Sequence, residues 1–357
     1  MEPTMAEAMH SSKATMAMLM VVFMMANMAL KMSYMTLTDT LVQGYIFFNT
    51  GNLPLKRMKR RVKMSLLNAQ AISGSGNSKN KSKGTPIQSA FSALAWVSPH
   101  LAGRLAHFIW YRTQHRSVTA DEQRVLDQAS VEVRKYGTKS VRVYRWGEGA
   151  PVLLTHGWNG DAGQMTLLAE ALVEQGFQVT AFDAPGHGRS SGNSTDILEI
   201  SGFITQLLHE SGEDTAVIAH SFGGMCALHA LANGVRASAV VCISPPKDVT
   251  TLLQQFSTLL GLNEVVVGQL RRRLEQRFGE EMWARFSMLE WVQAAGIPGL
   301  IIHDSRDRYI PVSNGRAVHA AWADSELQIT RGLGHMRILQ NAEVIGSIKR
   351  FLVNPDQ

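Results

Sequence analysis

The feature that most constrains the fold is a rhythm of short apolar runs. Pro151 to Thr155, Gln178 to Phe182, Ala216 to Ala219, Ala239 to Ile243 and Gly299 to His303 are four or five residues long and lack the alternation of a half-exposed strand. Continuous runs of this length suit strands buried on both faces of a parallel sheet. Between them, Asp161 to Gln175, Asp196 to Glu210 and Gly223 to Asn233 have the length and period of helices, so strand and helix alternate along the chain. Just upstream, Val131 to Tyr136 and Ser140 to Trp146 alternate apolar and polar residues around Gly137, which predicts an antiparallel hairpin. The expected class is α/β, with a mostly parallel central sheet flanked by helices over residues 131–357.

One segment breaks the rhythm. Pro246 to Ala295 lies between two expected strands and is too long for a single crossover helix, so it reads as a helical insertion over the sheet. Leu252, Leu253, Phe256, Leu259, Leu260 and Leu262 would supply an apolar face, and Arg271 to Arg273 a basic one. Periodicity fits ordinary helical packing as well as it fits a substrate-facing cap. Ahead of the hairpin, in a lead-in over 86–130, helices are expected from Ser98-Pro99 to about Trp110 and from Thr119 to about Val133. Thr119 stands three before Glu122 as in a capping box.

Residues 1–85 differ from the rest. Thirteen of the eighteen methionines fall at or before Met64. Ala14 to Leu30 is an almost unbroken apolar run between Lys13 and Lys31, at the short edge of what a bilayer-spanning helix needs. Three readings stand: a membrane anchor, a secretory signal, or upstream sequence included by starting too early, since Met64 opens a plausible shorter chain. No clean small-x-small cleavage site follows, which counts against the signal. An anchor would associate the protein with a membrane through residues 14–30. The cluster of Lys56, Arg57, Lys59, Arg60, Arg61 and Lys63 would then keep the catalytic domain on the cytoplasmic side. Ile72 to Thr85 is rich in Gly, Ser, Asn and Lys, as in a flexible linker.

That basic cluster, with Lys79, Lys81 and Lys83, accounts for much of the net charge of +6. No nucleic-acid module or interleaved aromatic pattern accompanies it, so a nucleic-acid partner is not expected. Cys226 and Cys242 are the only cysteines, and both fall in apolar stretches. They read as buried thiols in a reducing compartment, and two cysteines are too few for a disulfide framework.

The residues that carry chemistry centre on Ala219-His220-Ser221-Phe222-Gly223-Gly224, set between an apolar strand and a helix. Such a turn exposes a strained serine, and small residues two before and two after it keep strand and helix apart. Ala219 departs from the usual glycine but is the next smallest side chain. A serine hydroxyl needs a base within hydrogen-bond reach, and the base needs an orienting carboxylate. His335 follows Leu327 to Thr330 on a loop at the carboxyl edge of the sheet and can swing over the serine. His107 and His115 lie upstream of the sheet, His229 and His319 on helices, and His220 is expected to point elsewhere. Asp304 and Asp307 both follow Gly299 to His303; Asp307, farther out on the loop, is favoured. For an oxyanion, Phe222 offers one backbone N–H. The loop His156-Gly157-Trp158-Asn159-Gly160 offers a second, assigned to Trp158.

From about Val131 to Val353 the chain resembles the α/β-hydrolase superfamily, in its large group of uncharacterised bacterial serine hydrolases. The pieces occur in order: His156-Gly157-Trp158, then Phe182-Asp183-Ala184-Pro185-Gly186-His187-Gly188-Arg189-Ser190, the serine turn, Ile302-His303-Asp304-Ser305-Arg306-Asp307, and Gly332-Leu333-Gly334-His335. The resemblance implies an α/β-hydrolase fold with Ser221 as nucleophile, Asp307 as acid and His335 as base. It also implies structural roles for Asp183 and His187. Dehalogenases and epoxide hydrolases of this fold use aspartate where this chain has Ser221, so those activities are not expected.

The expected function is cleavage of an ester-like acyl substrate, hydrophobic in character, through an acyl-enzyme. Thioesterase, acyltransferase and cofactor-free peroxidase activities can use the same triad. A binding or signalling protein on the same scaffold is the rival from another class. No metal-ligand spacing or dinucleotide turn occurs, so neither a metal nor another cofactor is expected.

Overall fold

The computed structural model describes residues 85–353. The apolar segment 14–30, the basic run 56–63 and the linker up to residue 84 lie outside the described residues. No helix among the described residues is long and apolar enough to cross a membrane.

The chain divides into two compact units. The smaller includes residues 85–106 and 257–270. Its first helix, α1 (Pro86–Val97), is one that apolar periodicity does not announce. A capping box starts it: the Thr85 hydroxyl accepts the Gln88 N–H at 3.4 Å while Gln88 Oε1 accepts the Thr85 N–H at 3.0 Å. In the same unit, α2 (Pro99–Trp110) carries Gly103, where a Cβ would fall 2.4 Å from the Cβ of Gln269. Glycine there permits a close helix approach.

The larger unit, residues 107–256 and 271–353, holds the sheet. α3 (Ala120–Leu126) opens on the expected capping box of Thr119 and Glu122. It stops seven residues short of Val133, because the chain from Ser130 leaves the helix to pair in the sheet. β1 (Ser130–Tyr136) and β2 (Lys139–Trp146) form the expected antiparallel hairpin. β3 (Ala150–Thr155), β4 (Phe177–Asp183), β5 (Ala216–His220), β6 (Ala239–Ile243), β7 (Gly299–Asp304) and β8 (Ser325–Thr330) complete an eight-stranded sheet of order β1-β2-β4-β3-β5-β6-β7-β8. β2 meets β4 antiparallel, and every later pairing is parallel. Every residue of β5, β6 and β7 is buried, which is why these runs carry no alternation.

Alternate strand positions feed opposite faces. Val152 and Leu154, Val179 and Ala181, Ile218, Val241 and Ile302 join one core with Leu168 and Leu172 of α4 (Thr166–Val173) and Ile348 and Phe351 of α13 (Ala342–Val353). α5 (Ile197–Ser211) packs against α6 (Phe222–Ala232), which packs in turn against α10 (Met288–Ala295). The stretch between β6 and β7 folds as α7 (Val249–Leu260), α8 (Glu264–Phe278), α9 (Met282–Arg285) and α10, and α11 (Ser313–Ala321) links β7 to β8. Of its expected apolar face, Leu253 and Leu260 are buried, whereas Leu259 is exposed.

β3 sits between β4 and β5, so the chain leaves β3 toward one side and returns to the other. At such a reversal the loops beyond the carboxyl ends diverge and leave a crevice, the usual ligand position in open α/β sheets. The loops at residues 156–160, after β3, and 221–222, after β5, lie at these carboxyl ends.

Candidate active site

Ser221 directly follows β5 in a positive-φ conformation, φ 53° and ψ −122°, which a non-glycine residue adopts only when its surroundings enforce it. Two backbone bonds do so: the Ser221 N–H donates to the Ile243 carbonyl at 2.8 Å, and the Gly224 N–H donates to the Ser221 carbonyl at 3.0 Å. The close approach that the turn requires falls at Gly223, where a Cβ would lie 2.5 Å from the His156 carbonyl oxygen and 2.9 Å from that of Thr155. At Gly157, a Cβ would lie 3.0 Å from the Ser221 Cβ. The serine turn and the loop after β3 are therefore packed backbone to backbone.

His335 lies just beyond β8, in α12 (Gly334–Arg337), and its ring reaches the serine. Its Nε2 is 2.9 Å from Ser221 Oγ and its Nδ1 is 2.6 Å from Asp307 Oδ2. The carboxylate can only accept, so Nδ1 carries the proton, and in the neutral ring Nε2 is left bare to accept from the serine hydroxyl. Asp307 Oδ1 accepts the N–H groups of Tyr309 at 2.8 Å and Ile310 at 2.9 Å. Burial pushes the Asp307 carboxyl up, but the bond from His335 and these two N–H donors outweigh it and hold the group below the usual carboxylate range.

Asp304 is engaged elsewhere. It accepts the Thr330 hydroxyl at 2.8 Å and the N–H groups of Arg306, Gly332 and Leu333 at 2.8, 3.2 and 2.9 Å. Burial opposes its ionisation, yet these donors bring it down to about 2. It ties the chain leading to His335 onto β7 and does not reach the imidazole.

His156 shapes the loop after β3, with Nδ1 2.7 Å from the Gly157 carbonyl and Nε2 accepting the Ala184 N–H at 3.0 Å. The Trp158 indole stands edge-on against the Phe222 ring, with centroids 5.3 Å apart. Among the described residues, no protein acceptor takes the N–H of Trp158 or of Phe222. Asp183 accepts the N–H groups of Ala162 and Arg189, both at 2.8 Å, and the Tyr144 hydroxyl at 3.2 Å, closing the turn after β4. A polar cavity of about 220 Å³ lies by that turn, lined by Arg116, Tyr144, Asp161, Asp183 and Arg189 among others; none of Ser221, Asp307 and His335 borders it.

Two histidines to which the sequence assigns no role, although both lie within its motifs, also bond to the chain around these residues. His303 is fully buried on β7 and its Nε2 donates to the Ile310 carbonyl at 2.9 Å, pinning the loop of Asp307. His220 does not simply point away: its Nε2 lies 2.9 Å from the His335 carbonyl oxygen. Besides their place in those motifs, the signal for either in the sequence is a polar residue at the buried end of an apolar strand.

The family model of the alpha/beta hydrolase family matches residues 152–346, more than half of the chain. Among curated relatives, the acetyltransferase component of the acetoin cleaving system of Cupriavidus necator is 36% identical over 110 residues, 29% of each chain. A non-heme chloroperoxidase of Kitasatospora aureofaciens is 38% identical over 84 residues, 22% of this chain and 30% of its own. The chain thus spans under a third of the length of these two proteins. A non-heme haloperoxidase of Rhodococcus erythropolis is 21% identical over 250 residues, covering 57% of this chain and 91% of its own. Among solved structures, a putative lipase of Acinetobacter baumannii superposes with a TM-score of 0.51 at 15% identity, over 67% of this chain and 98% of its own, which speaks for the fold. The eight-stranded sheet, the strained turn at Ser221 and the extent of the family match together place this chain in the alpha/beta hydrolase family.

Proposed function

We propose that the protein is a serine hydrolase that cleaves an ester-like acyl substrate through an acyl-enzyme. The observation that carries this reading is the unbroken chain Asp307–His335–Ser221, with both links at hydrogen-bond distance. His335 Nε2 takes the proton as Ser221 Oγ attacks the carbonyl carbon, and Asp307 holds the imidazolium that forms. The N–H groups of Phe222 and Trp158 receive the developing oxyanion. On collapse of the tetrahedral intermediate, His335 returns the proton to the leaving alcohol. Water then attacks the acyl-serine with His335 again as base, releasing the acid and restoring Ser221.

Exposed apolar side chains at the rim support a hydrophobic acyl or alkyl group. Tyr309, 63% exposed, has its ring centroid 5.4 Å from that of His335, and Met336 is also exposed. Desolvating such surface favours an apolar substrate by about 25 cal/mol per Å². Acyl transfer to a thiol or alcohol, thioester cleavage and perhydrolysis differ from esterase action only in the leaving group or in the second nucleophile. The similarity to non-heme haloperoxidases makes hydrogen peroxide an acceptor to include in product analysis.

The test is labelling of the full chain by a fluorophosphonate, comparing wild type with Ser221→Ala. Labelling of wild type that disappears in the variant supports an activated Ser221. A folded wild type that does not label would leave a non-catalytic role on the same scaffold as the better reading.

A further inference from the structure

We propose that His220 is a positioning residue that sets the distance between nucleophile and base by holding the backbone of His335. The inference rests on the triad reading above. His220 is the last residue of β5, one before Ser221, and is 2% exposed. Its Nε2 lies 2.9 Å from the His335 carbonyl oxygen. A carbonyl can only accept, so the His220 ring carries its proton on Nε2. In the neutral ring Nδ1 is then bare. That nitrogen is buried with no protein partner and faces the loop after β3, where a Cβ on Gly157 would come within 3.2 Å of it.

The ring stays neutral at ordinary pH. Burial and the charge that His335 can carry press its pKa down to about 3, against the opposing pull of the His335 carbonyl and Asp307. The other titratable group near it, His156, presses the same way. A neutral donor can serve here without placing a second cation beside His335, whose ring centroid is 4.8 Å away.

The geometry closes a small loop. Residue 221 touches the His335 ring at Nε2, and residue 220 touches the His335 backbone, both at 2.9 Å. Asp304 secures the preceding residues, Gly332 and Leu333, to the end of β7. His335 is thereby located from two strand ends, and the anchor on β5 is adjacent in sequence to the nucleophile. Without it, the His335 backbone would lose its tie to β5 and keep the Asp304 bonds to Gly332 and Leu333 on one side and the buried Ile338 and Leu339 on the other. Misplacement of a reacting group by about 1 Å can cost about 100-fold in rate.

A side-chain amide tests this directly. Glutamine places its amide nitrogen near the position of the imidazole Nε2, whereas asparagine places its own near Nδ1 and falls short of the carbonyl. His220→Gln and His220→Asn in the full chain are compared by fluorophosphonate labelling rate, by kcat and KM on a short-chain p-nitrophenyl ester, and by Tm. His220→Asn is expected to lower labelling rate and kcat by about 10- to 100-fold with KM nearly unchanged. His220→Gln is expected to recover most of that loss at a similar Tm. Equal loss in the two variants, no loss in either, or loss that simply follows Tm would overturn the proposal.

Should neither variant fold, ring-¹⁵N spectra of wild type decide. His220 as a neutral Nε2–H tautomer from pH 5 to 9 supports the bond, and an Nδ1–H tautomer or titration in that range refutes it. A folded wild type that fails to label removes the triad reading itself. A labelled wild type with Gln and Asn alike removes only the role of His220.

Discussion

Asp304 and Asp307 stand three residues apart beyond one strand, and their partners separate them. Asp307 has one oxygen on His335 and the other on two backbone N–H groups, while Asp304 spends both oxygens on the chain around it. From sequence, both are acidic residues at a strand tip, and only the path of residues 330–335 decides which faces the imidazole. Asp304 is depressed from 3.8 to about 2, so it stabilises the fold fully above pH 4 and loses that contribution as pH falls through about 2. Asp304→Asn should therefore lower Tm at pH 7, by the equivalent of about 1–3 kcal/mol. The difference from wild type should shrink between pH 4 and pH 2 in thermal scans; a gap constant over that range would refute the account. Ser221 and His335 were legible because glycines mark the sharp turns that present them. His220 and His303 do not stand out in the same way: the His220 ring bonds a carbonyl 115 residues on, and the His303 ring bonds the Ile310 carbonyl across a loop whose path the sequence does not give.

At the scale of elements, the turn from β5 into α6 depends on glycine at one position and tolerates a methyl group at the next. A Cβ at 223 would meet the backbone carbonyls of Thr155 and His156, which cannot move without carrying β3 with them. A Cβ at 224 would find its nearest atoms at 3.6 Å or more, an ordinary packing distance. Gly223→Ala should cost about 1–3 kcal/mol in urea unfolding and slow labelling at least tenfold. Gly224→Ala, inside a helix, should be neutral or stabilising by up to about 1 kcal/mol. Equal effects of the two would contradict the backbone clash at 223 as the cause. The strands β3 to β7 are legible in the sequence as short continuous apolar runs, because strands buried on both faces need no polar alternation. Periodicity missed α1, whose Thr85-Pro86-Ile87-Gln88 start is a capping signal rather than a periodic one, and it ran α3 past Leu126, where strand pairing takes over.

At the scale of the molecule, the larger unit buries both cysteines completely, Cys226 on α6 and Cys242 on β6. Burial pushes the Cys242 thiol up to about 12 and raises Cys226 well above its usual value. A thiol reagent at pH 8 should find neither in the native protein and both after denaturation, the reaction following unfolding measured by far-UV circular dichroism. A fast-reacting thiol in the native chain would contradict this packing. The sequence by itself determined the α/β class, the order of strands β1 to β7 with the helices between β3 and β6, and a strand-to-helix turn at Ser221 with a later histidine loop, because burial pattern and turn chemistry are local properties. The tertiary structure alone decided the strand order around β3, the bonding of Asp307 and not Asp304 to the His335 ring, and the bond from the His220 ring to the His335 backbone. Each of these depends on which distant segments the sheet makes neighbours, and no local pattern records that.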